Sequence, residues 1–249
     1  GNNGLKKAKY ISFTVEADNL EQASAMLERL EIDILTGFKN MGVRAESLNG
    51  EERLKILHDM LNPDKSFSFS YKDLKGKEST KSYITPDMFN FTPNRYFKFG
   101  KFIGATSHFQ ILASELSDRM LSEFLDIDDN ISISFHIQAI DQSEAIKMVK
   151  RKNTDLDKMR IEENKKAVRS GYDMDILPSD LVTYGEDVKS LLKDLQTRDE
   201  RMFVVSIVFF NFGKTVQKLE NTIAKISSIA NKHNCKIKRL DHAQEQGLV

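Results

Sequence analysis

The chain has no tryptophan, one cysteine and four prolines in 249 residues, and its 37 Lys and Arg are matched by 37 Asp and Glu. Each scarcity excludes something. A single thiol, Cys235, cannot close an internal disulfide, so stability must come from a packed core, and the chain suits a reducing compartment. A net charge of zero removes the global field that draws in nucleic acid or acidic lipid, so such binding would need a local patch. No apolar run approaches the ~20 residues of a membrane-spanning helix. The most apolar window, Met202 to Phe212, is interrupted by Ser206 and Asn211 and reads as a buried strand. The histidines at 58, 108, 136, 233 and 242 include no His-x3-His pair and meet no cysteine cluster, so no metal-site pattern is present. His233 and Cys235, two apart, read as alternating positions near a strand start. No signal peptide precedes the first apolar segment. The start Gly1-Asn2-Asn3-Gly4, without methionine, reads as the cut end of a segment from a longer protein.

What is present is the composition of a globule, 40% apolar and 30% charged, long enough for one large domain or two lobes. Ile11, Phe13 and Val15 alternate with polar residues, which predicts a first strand over 10–16. Asp18 stands three before Glu21 as a capping box, and Leu20, Ala23, Leu27, Leu30, Ile34, Phe38 and Met41 follow at helical spacing until Gly42 stops them. A strand over 43–48 and a helix over 51–61, ended by Asn62-Pro63, complete a β-α-β-α opening. Residues 65–102 hold ten of the 22 aromatics, with eight Lys or Arg against three Asp or Glu, a net +5. The alternation of Phe67, Phe69 and Tyr71 and then of Phe97 and Phe99 predicts hairpin strands turning near Gly76 and Pro93-Asn94. A strand over 103–112 and a helix over 118–125 follow.

A strand over 131–139 runs into Asp141, three before Glu144. This repeats the junction between Phe13 and Glu21 and raises an internal duplication, although one such pair is too short to establish it. The helix from Gln142 to Arg169 has a thin apolar stripe of Ala145, Val149, Leu156 and Met159, the mark of a projecting or partner-bound helix. Gly171 breaks it, and Pro178-Ser179 starts a second helix with Leu181, Val188, Leu191 and Leu195 on its apolar face. A strand over 203–210, a helix over 215–232 and a strand over 235–240 close the chain. The expectation is an α+β fold of two lobes, 1–128 and 129–249, each with mixed or antiparallel sheet and packed helices, and a long helical hairpin over 142–200.

No catalytic constellation emerges. Gly213-Lys214-Thr215 lies between a strand and a helix, as in a phosphate-binding loop. The position five before Gly213 is Val208, inside a strand, where the wrapped loop needs glycine. Asp126, Asp128 and Asp129 lack the glycine and distal glutamate of a calcium loop and read as a solvated turn. Ser190 and Lys193 read as polar positions of a helix. Two surfaces remain. Phe67, Phe69, Tyr71, Phe97 and Phe99 with Lys72, Lys98 and Lys101 would form a stacking and phosphate platform for single-stranded nucleic acid, unless those rings are the inward face of a sheet. Lys150, Arg151, Lys158, Arg160, Lys165, Lys166 and Arg169, with Lys147 and Lys152, make a basic run diluted by Asp155, Asp157, Glu162 and Glu163. Pairing such as Glu162 with Lys166 favours a solvated or protein-docking face.

Several stretches resemble the N-terminal region of the VirB/TraE-type ATPase of Gram-positive conjugative type IV secretion. They are Tyr10-Ile-Ser-Phe-Thr-Val-Glu-Ala-Asp18, Leu48-Asn-Gly-Glu-Glu-Arg53, Ile111-Leu-Ala-Ser-Glu-Leu-Ser-Asp-Arg-Met120, Arg151-Lys-Asn-Thr-Asp-Leu-Asp-Lys-Met159, Gly171-Tyr-Asp-Met-Asp-Ile-Leu-Pro-Ser-Asp180 and Arg239-Leu-Asp-His-Ala-Gln-Glu-Gln-Gly-Leu248. The resemblance covers nearly the whole chain and none of it is a catalytic motif. It implies a docking and assembly domain at the cytoplasmic face of the membrane. Its partners would be channel subunits and neighbouring ATPase protomers. ATP and Mg would belong to a C-terminal motor domain beyond this chain, so this segment would carry no cofactor, metal or catalytic residue. The alternative is a single-stranded nucleic-acid-binding module over 67–101.

Overall fold

The computed structural model describes residues 7–74, 79–113, 115–169, 179–197 and 200–248. The fold is α+β: among the described residues β1 (Phe89–Asn90), β2 (Phe97–Phe99), β3 (Phe102–Ile111), β4 (Ile131–Ala139), β5 (Phe203–Gly213) and β6 (Cys235–Arg239) form one sheet in the order β1-β2-β3-β5-β4, with β6 also paired to β3. The chain forms two compact units, Gly1–Ser132 with Phe209–Val249, and Ile133–Val208. The return of 209–249 to the first unit differs from the expected second lobe, and strand pairing explains it, as described next.

In the first unit, helix α1 (Leu20–Asn40) begins at Asn19, whose side chain accepts the Gln22 N–H at 2.9 Å, so the cap sits one residue later than the Asp18–Glu21 pattern suggested. Gly42, at φ 71°, follows its end, a left-handed backbone that glycine adopts without strain. Helix α2 (Gly50–Leu61) has a capping box between Asn49 and Glu52. The strands expected over 10–16 and 43–48 are not formed; both segments lie outside any ladder and are mostly exposed. Alternation selects a face, but a strand also needs a neighbour to receive its N–H and C=O groups.

Phe67 and Phe69 are likewise not in a strand, and Tyr71–Asp73 forms a single 3₁₀ turn. The expected turn at Gly76 lies outside the described residues. A short helix α3 (Lys81–Ile84) follows. The hairpins are instead β1 (Phe89–Asn90) on β2 (Phe97–Phe99), with the chain bending at Pro93-Asn94-Arg95, and β2 on β3 (Phe102–Ile111) across Gly100. Residues 102–104 of β3 pair with β2, and residues 107–111 pair antiparallel with β6 (Cys235–Arg239). That second pairing brings the C-terminal segment back to the first unit. Helix α4 (Asp118–Leu125) packs Phe124 edge-on to Phe109 and Phe209. Helix α7 (Val216–Lys232), capped by Thr215, covers Ala105 with Leu219 and Ile223. The other face of the sheet is an aromatic core of Phe97, Phe99, Phe102 and Phe210. Gly104 lies beneath it, where a β-carbon would come within 2.9 Å of Phe97 and Phe210.

The second unit holds most of β4 (Ile131–Ala139), the start of β5 (Phe203–Gly213), and helices α5 (Gln142–Arg169) and α6 (Ser179–Thr197). The two helices pack as the expected hairpin around Ala145, Val149 and Leu195, with Ile146, Val188 and Leu192 alongside. Leu191 is not part of that face: it is exposed, and Leu192 takes the inward position. The turn at Gly171 and Pro178 and the Leu181 side chain lie outside the described residues.

Candidate interaction surfaces

Asp141 starts α5. Its carboxylate accepts the Ser143 hydroxyl at 2.5 Å and the Ser143 and Glu144 amides at 2.9 and 3.3 Å. The Ser143 hydroxyl first, and then those amides, hold the carboxyl below its usual range. The base of the hairpin is tied by the Ile140 N–H to the Met202 carbonyl at 3.0 Å and by the Gln142 amide to the Leu195 carbonyl. Among the described side chains of α5, the last that is buried is Leu156. Beyond it Met159, Ile161 and Val168 are exposed, which places Met159 outside the apolar stripe read from its spacing.

All seven predicted interaction cations, Lys150, Arg151, Lys158, Arg160, Lys165, Lys166 and Arg169, are exposed on α5. Lys166 pairs with Glu163 at 2.6 Å rather than with Glu162, and this bond raises its pKa. Lys158 lies 3.8 Å from Asp155. Among the described residues, Lys150, Arg151, Arg160, Lys165 and Arg169 have no acidic partner within salt-bridge distance. Ile161, Asn164, Lys165, Val168 and Arg169 line a shallow open hollow, so apolar and cationic groups share one face. Single exposed ion pairs contribute little. A face of unpaired cations around exposed aliphatic side chains can instead receive an acidic, partly apolar partner.

The aromatic platform is dispersed. Phe97 and Phe99 are 0% exposed and sealed in the core, where no base can stack on them. Phe67 leans on His58 of α2, with ring centroids 5.1 Å apart. Phe69 packs against Tyr83 at 4.7 Å and Tyr71 at 5.3 Å. Tyr71 is held from below: Glu51 accepts the Tyr71 N–H and the Ser70 hydroxyl, each at 2.9 Å, and the Tyr71 amide chiefly lowers the Glu51 pKa. Lys98 points away from the buried rings of its own strand, and Lys101 lies 3.5 Å from Asp64.

The remaining candidates resolve into structure. Thr215 caps α7 after Gly213 ends β5, and Val208 lies within that strand, where a phosphate loop would need glycine. Asp126 turns to Lys7 at 3.1 Å. Asp129 turns inward, its side chain 2% exposed, to Lys218 and Lys225. Burial pushes the Asp129 carboxyl up, but the two lysines outweigh it and hold the group below the usual range. His233 faces Glu123 at 3.5 Å, while Cys235 is buried and its thiol donates to the His233 carbonyl. No group of three His, Cys, Asp or Glu among the described residues could hold a metal ion. No helix among them is long and apolar enough to cross a membrane.

Sequence reasoning missed Gln244. Its buried amide accepts the Thr106 N–H at 2.7 Å and donates to the carbonyls of Thr106 and Leu240 at 3.2 and 2.9 Å. It fills the gap on β3 between the residues paired to β2 and those paired to β6. The sequence carries no signal for it, because a glutamine near a strand end looks like any polar residue. Among the described residues the outer edge of β4 is unpaired. No family model matches this chain, and no curated protein matches it significantly.

Proposed function

We propose that the chain is a non-catalytic docking and assembly domain, the N-terminal domain of a conjugative type IV secretion ATPase, working at the cytoplasmic face of the membrane. The observation that carries the docking role is the outer part of α5, where Lys165 and Arg169, without an acidic partner among the described residues, stand beside exposed Ile161 and Val168. A helix this polar gains little from its own fold beyond Leu156, and a partner surface gives its apolar residues somewhere to go. The motor assignment rests on the sequence resemblance. In that setting the partners are channel subunits and neighbouring protomers, and ATP and Mg belong to the motor domain.

Two measurements test this. The natural reading frame beyond Val249 should encode Gly-x4-Gly-Lys-[Ser/Thr] after a strand; a frame without it removes the motor. In the full-length protein, reversing Lys150, Arg151, Lys165 and Arg169 to Glu should cut DNA transfer by roughly tenfold or more while leaving ATP hydrolysis intact, as loss of complementary charge weakens an encounter. Unchanged transfer would remove α5 as the docking face.

A further inference from the structure

Helices α1 and α5 each carry a second stripe, on the side away from the one that packs. The half-buried residues of α1 include Ala23, Leu30, Ile34 and Phe38. At about 100° of rotation per residue, Glu21, Ala25, Glu28 and Ile32 stand on the opposite side, and all four are exposed, Ile32 to 65%. Neither glutamate has a cationic partner within salt-bridge distance among the described residues. Glu21, Ala25 and Glu28 line a shallow open hollow with Leu20 and Ser24.

In α5 the packed stripe is Ala145, Val149 and Leu156. Lys158, Ile161, Lys165 and Val168 run along the opposite side, all exposed. Both outer stripes step by three and four in turn, the spacing of a seam between two helices. Their chemistry is reciprocal: acid, apolar, acid, apolar along α1, and cation, apolar, cation, apolar along α5. Direction is specified as well. Read backwards from Lys165, α5 steps by four and then three, as α1 does forwards from Glu21. Laid antiparallel, Glu21 meets Lys165, Ala25 meets Ile161 and Glu28 meets Lys158, so each charge faces its opposite and each aliphatic group an aliphatic group. The surroundings agree in sign, since residues 16–33 hold six acids and one cation, and residues 147–169 nine cations and four acids.

We propose that the outer stripe of α1 in one copy docks antiparallel on the outer stripe of α5 in a second copy. This rests on the reading of α5 as a docking face and names what docks there. The chain carries both halves of the match, each exposed within its own unit, so a second copy supplies at once what both lack. The charged layers set register and direction, and the apolar layers between them remove Ile161 and Ala25 from water. A contact of about two helical turns belongs to the small, reversible class of interface.

The test uses the whole 249-residue chain at low salt, where light scattering across micromolar concentrations should show self-association that weakens as salt is added. Lys158→Glu with Lys165→Glu makes both stripes acidic, and Glu21→Lys with Glu28→Lys makes both basic. Each double variant alone should associate roughly tenfold or more weakly, with the circular dichroism spectrum and melting midpoint unchanged. An equal mixture of the two should recover association, because each stripe then finds its opposite on the other chain. A wild-type chain that stays monomeric, association that survives either double variant, or folded variants that stay apart when mixed would overturn the proposal. The last is the result expected if α1 closes on α5 of its own copy. If self-association fails while charge reversal on α5 still cuts DNA transfer, this pairing falls and the docking reading stands.

Discussion

Replacing Gln244 by Ala removes three hydrogen bonds that a buried side-chain amide makes to backbone groups. Their losses are unequal. The Thr106 carbonyl keeps a second donor, the Leu240 N–H at 3.1 Å, whereas the Thr106 N–H has Gln244 Oε1 as its partner on that edge, in a residue 0% exposed. An orphaned buried donor costs about 1–3 kcal/mol, and losing the bond to Leu240 adds about 1 kcal/mol. The expected destabilisation is therefore about 2–4 kcal/mol. Calorimetry should show this as a drop of roughly 4–16 °C in melting temperature, at about 2–4 °C per kcal/mol for a unit of this size. Urea melts should show a lower midpoint with unchanged slope. Gln244→Glu separates the hydrogen-bond account from simple loss of volume. An ionised carboxylate keeps the acceptor for Thr106 but faces the Thr106 and Leu240 carbonyls without a proton to donate. Folding therefore favours the protonated form and raises the folded-state pKa. Stability is then fully present below the ordinary glutamate pKa and is lost as pH rises through the raised one. A loss under about 0.5 kcal/mol for Gln244→Ala, or a Gln244→Glu stability that does not fall between acidic and neutral pH, would refute the reasoning.

Gly104→Ala drives a methyl into Phe97, Phe99 and Phe210 at 2.9–3.0 Å, and should cost about 1–3 kcal/mol in a chemical melt. Gly247→Ala would bring a methyl to 2.6 Å from the Thr106 hydroxyl oxygen, so it should destabilise the same corner as the Gln244 variants and be less than additive with them. For Asp129, whose folded pKa is depressed, the stabilisation is present above the unfolded carboxylate value and lost as pH falls through the lower folded one. Asp129→Asn should cost about 1.5–3 kcal/mol at neutral pH and flatten the acid limb of the stability curve below about pH 4.

What the sequence made legible were the elements whose stabilisation is local or carried by one face. Helix α4 begins at Asp118, α5 at Gln142, and β4 spans Ile131–Ala139, each as its spacing and cap predicted. The packing of α5 on α6 followed from two apolar stripes; Leu191 in place of Leu192 and Met159, which is exposed, were misassigned to them. Phe97 and Phe99 matched the inward-facing alternative of the aromatic platform because a period of two with bulky rings is what a buried sheet face needs.

The misses share a cause. Residues 10–16 and 67–71 carry as clean an alternation as β4 does, and composition gives no way to tell which run will find a neighbour. Pairing is decided by distant residues: β6 and Gln244, about 130 residues away along the chain, complete β3, whereas no described segment of the chain completes residues 10–16 or the outer edge of β4. The same physics that hides a partner from the sequence makes its absence informative in the structure. A run that encodes a strand and is left without a ladder keeps its backbone groups on water and its apolar side chains exposed, and another strand could take both. Helix α5 shows the complementary case, since its outer half is helical by itself and leaves only side chains unpartnered. A strand-adding surface should therefore be sensitive to proline and insensitive to salt, while the α5 surface should respond to charge reversal and weaken as ionic strength rises. Measuring self-association across a salt series tells the two kinds of contact apart, and the pairing of α1 with α5 requires that it weaken.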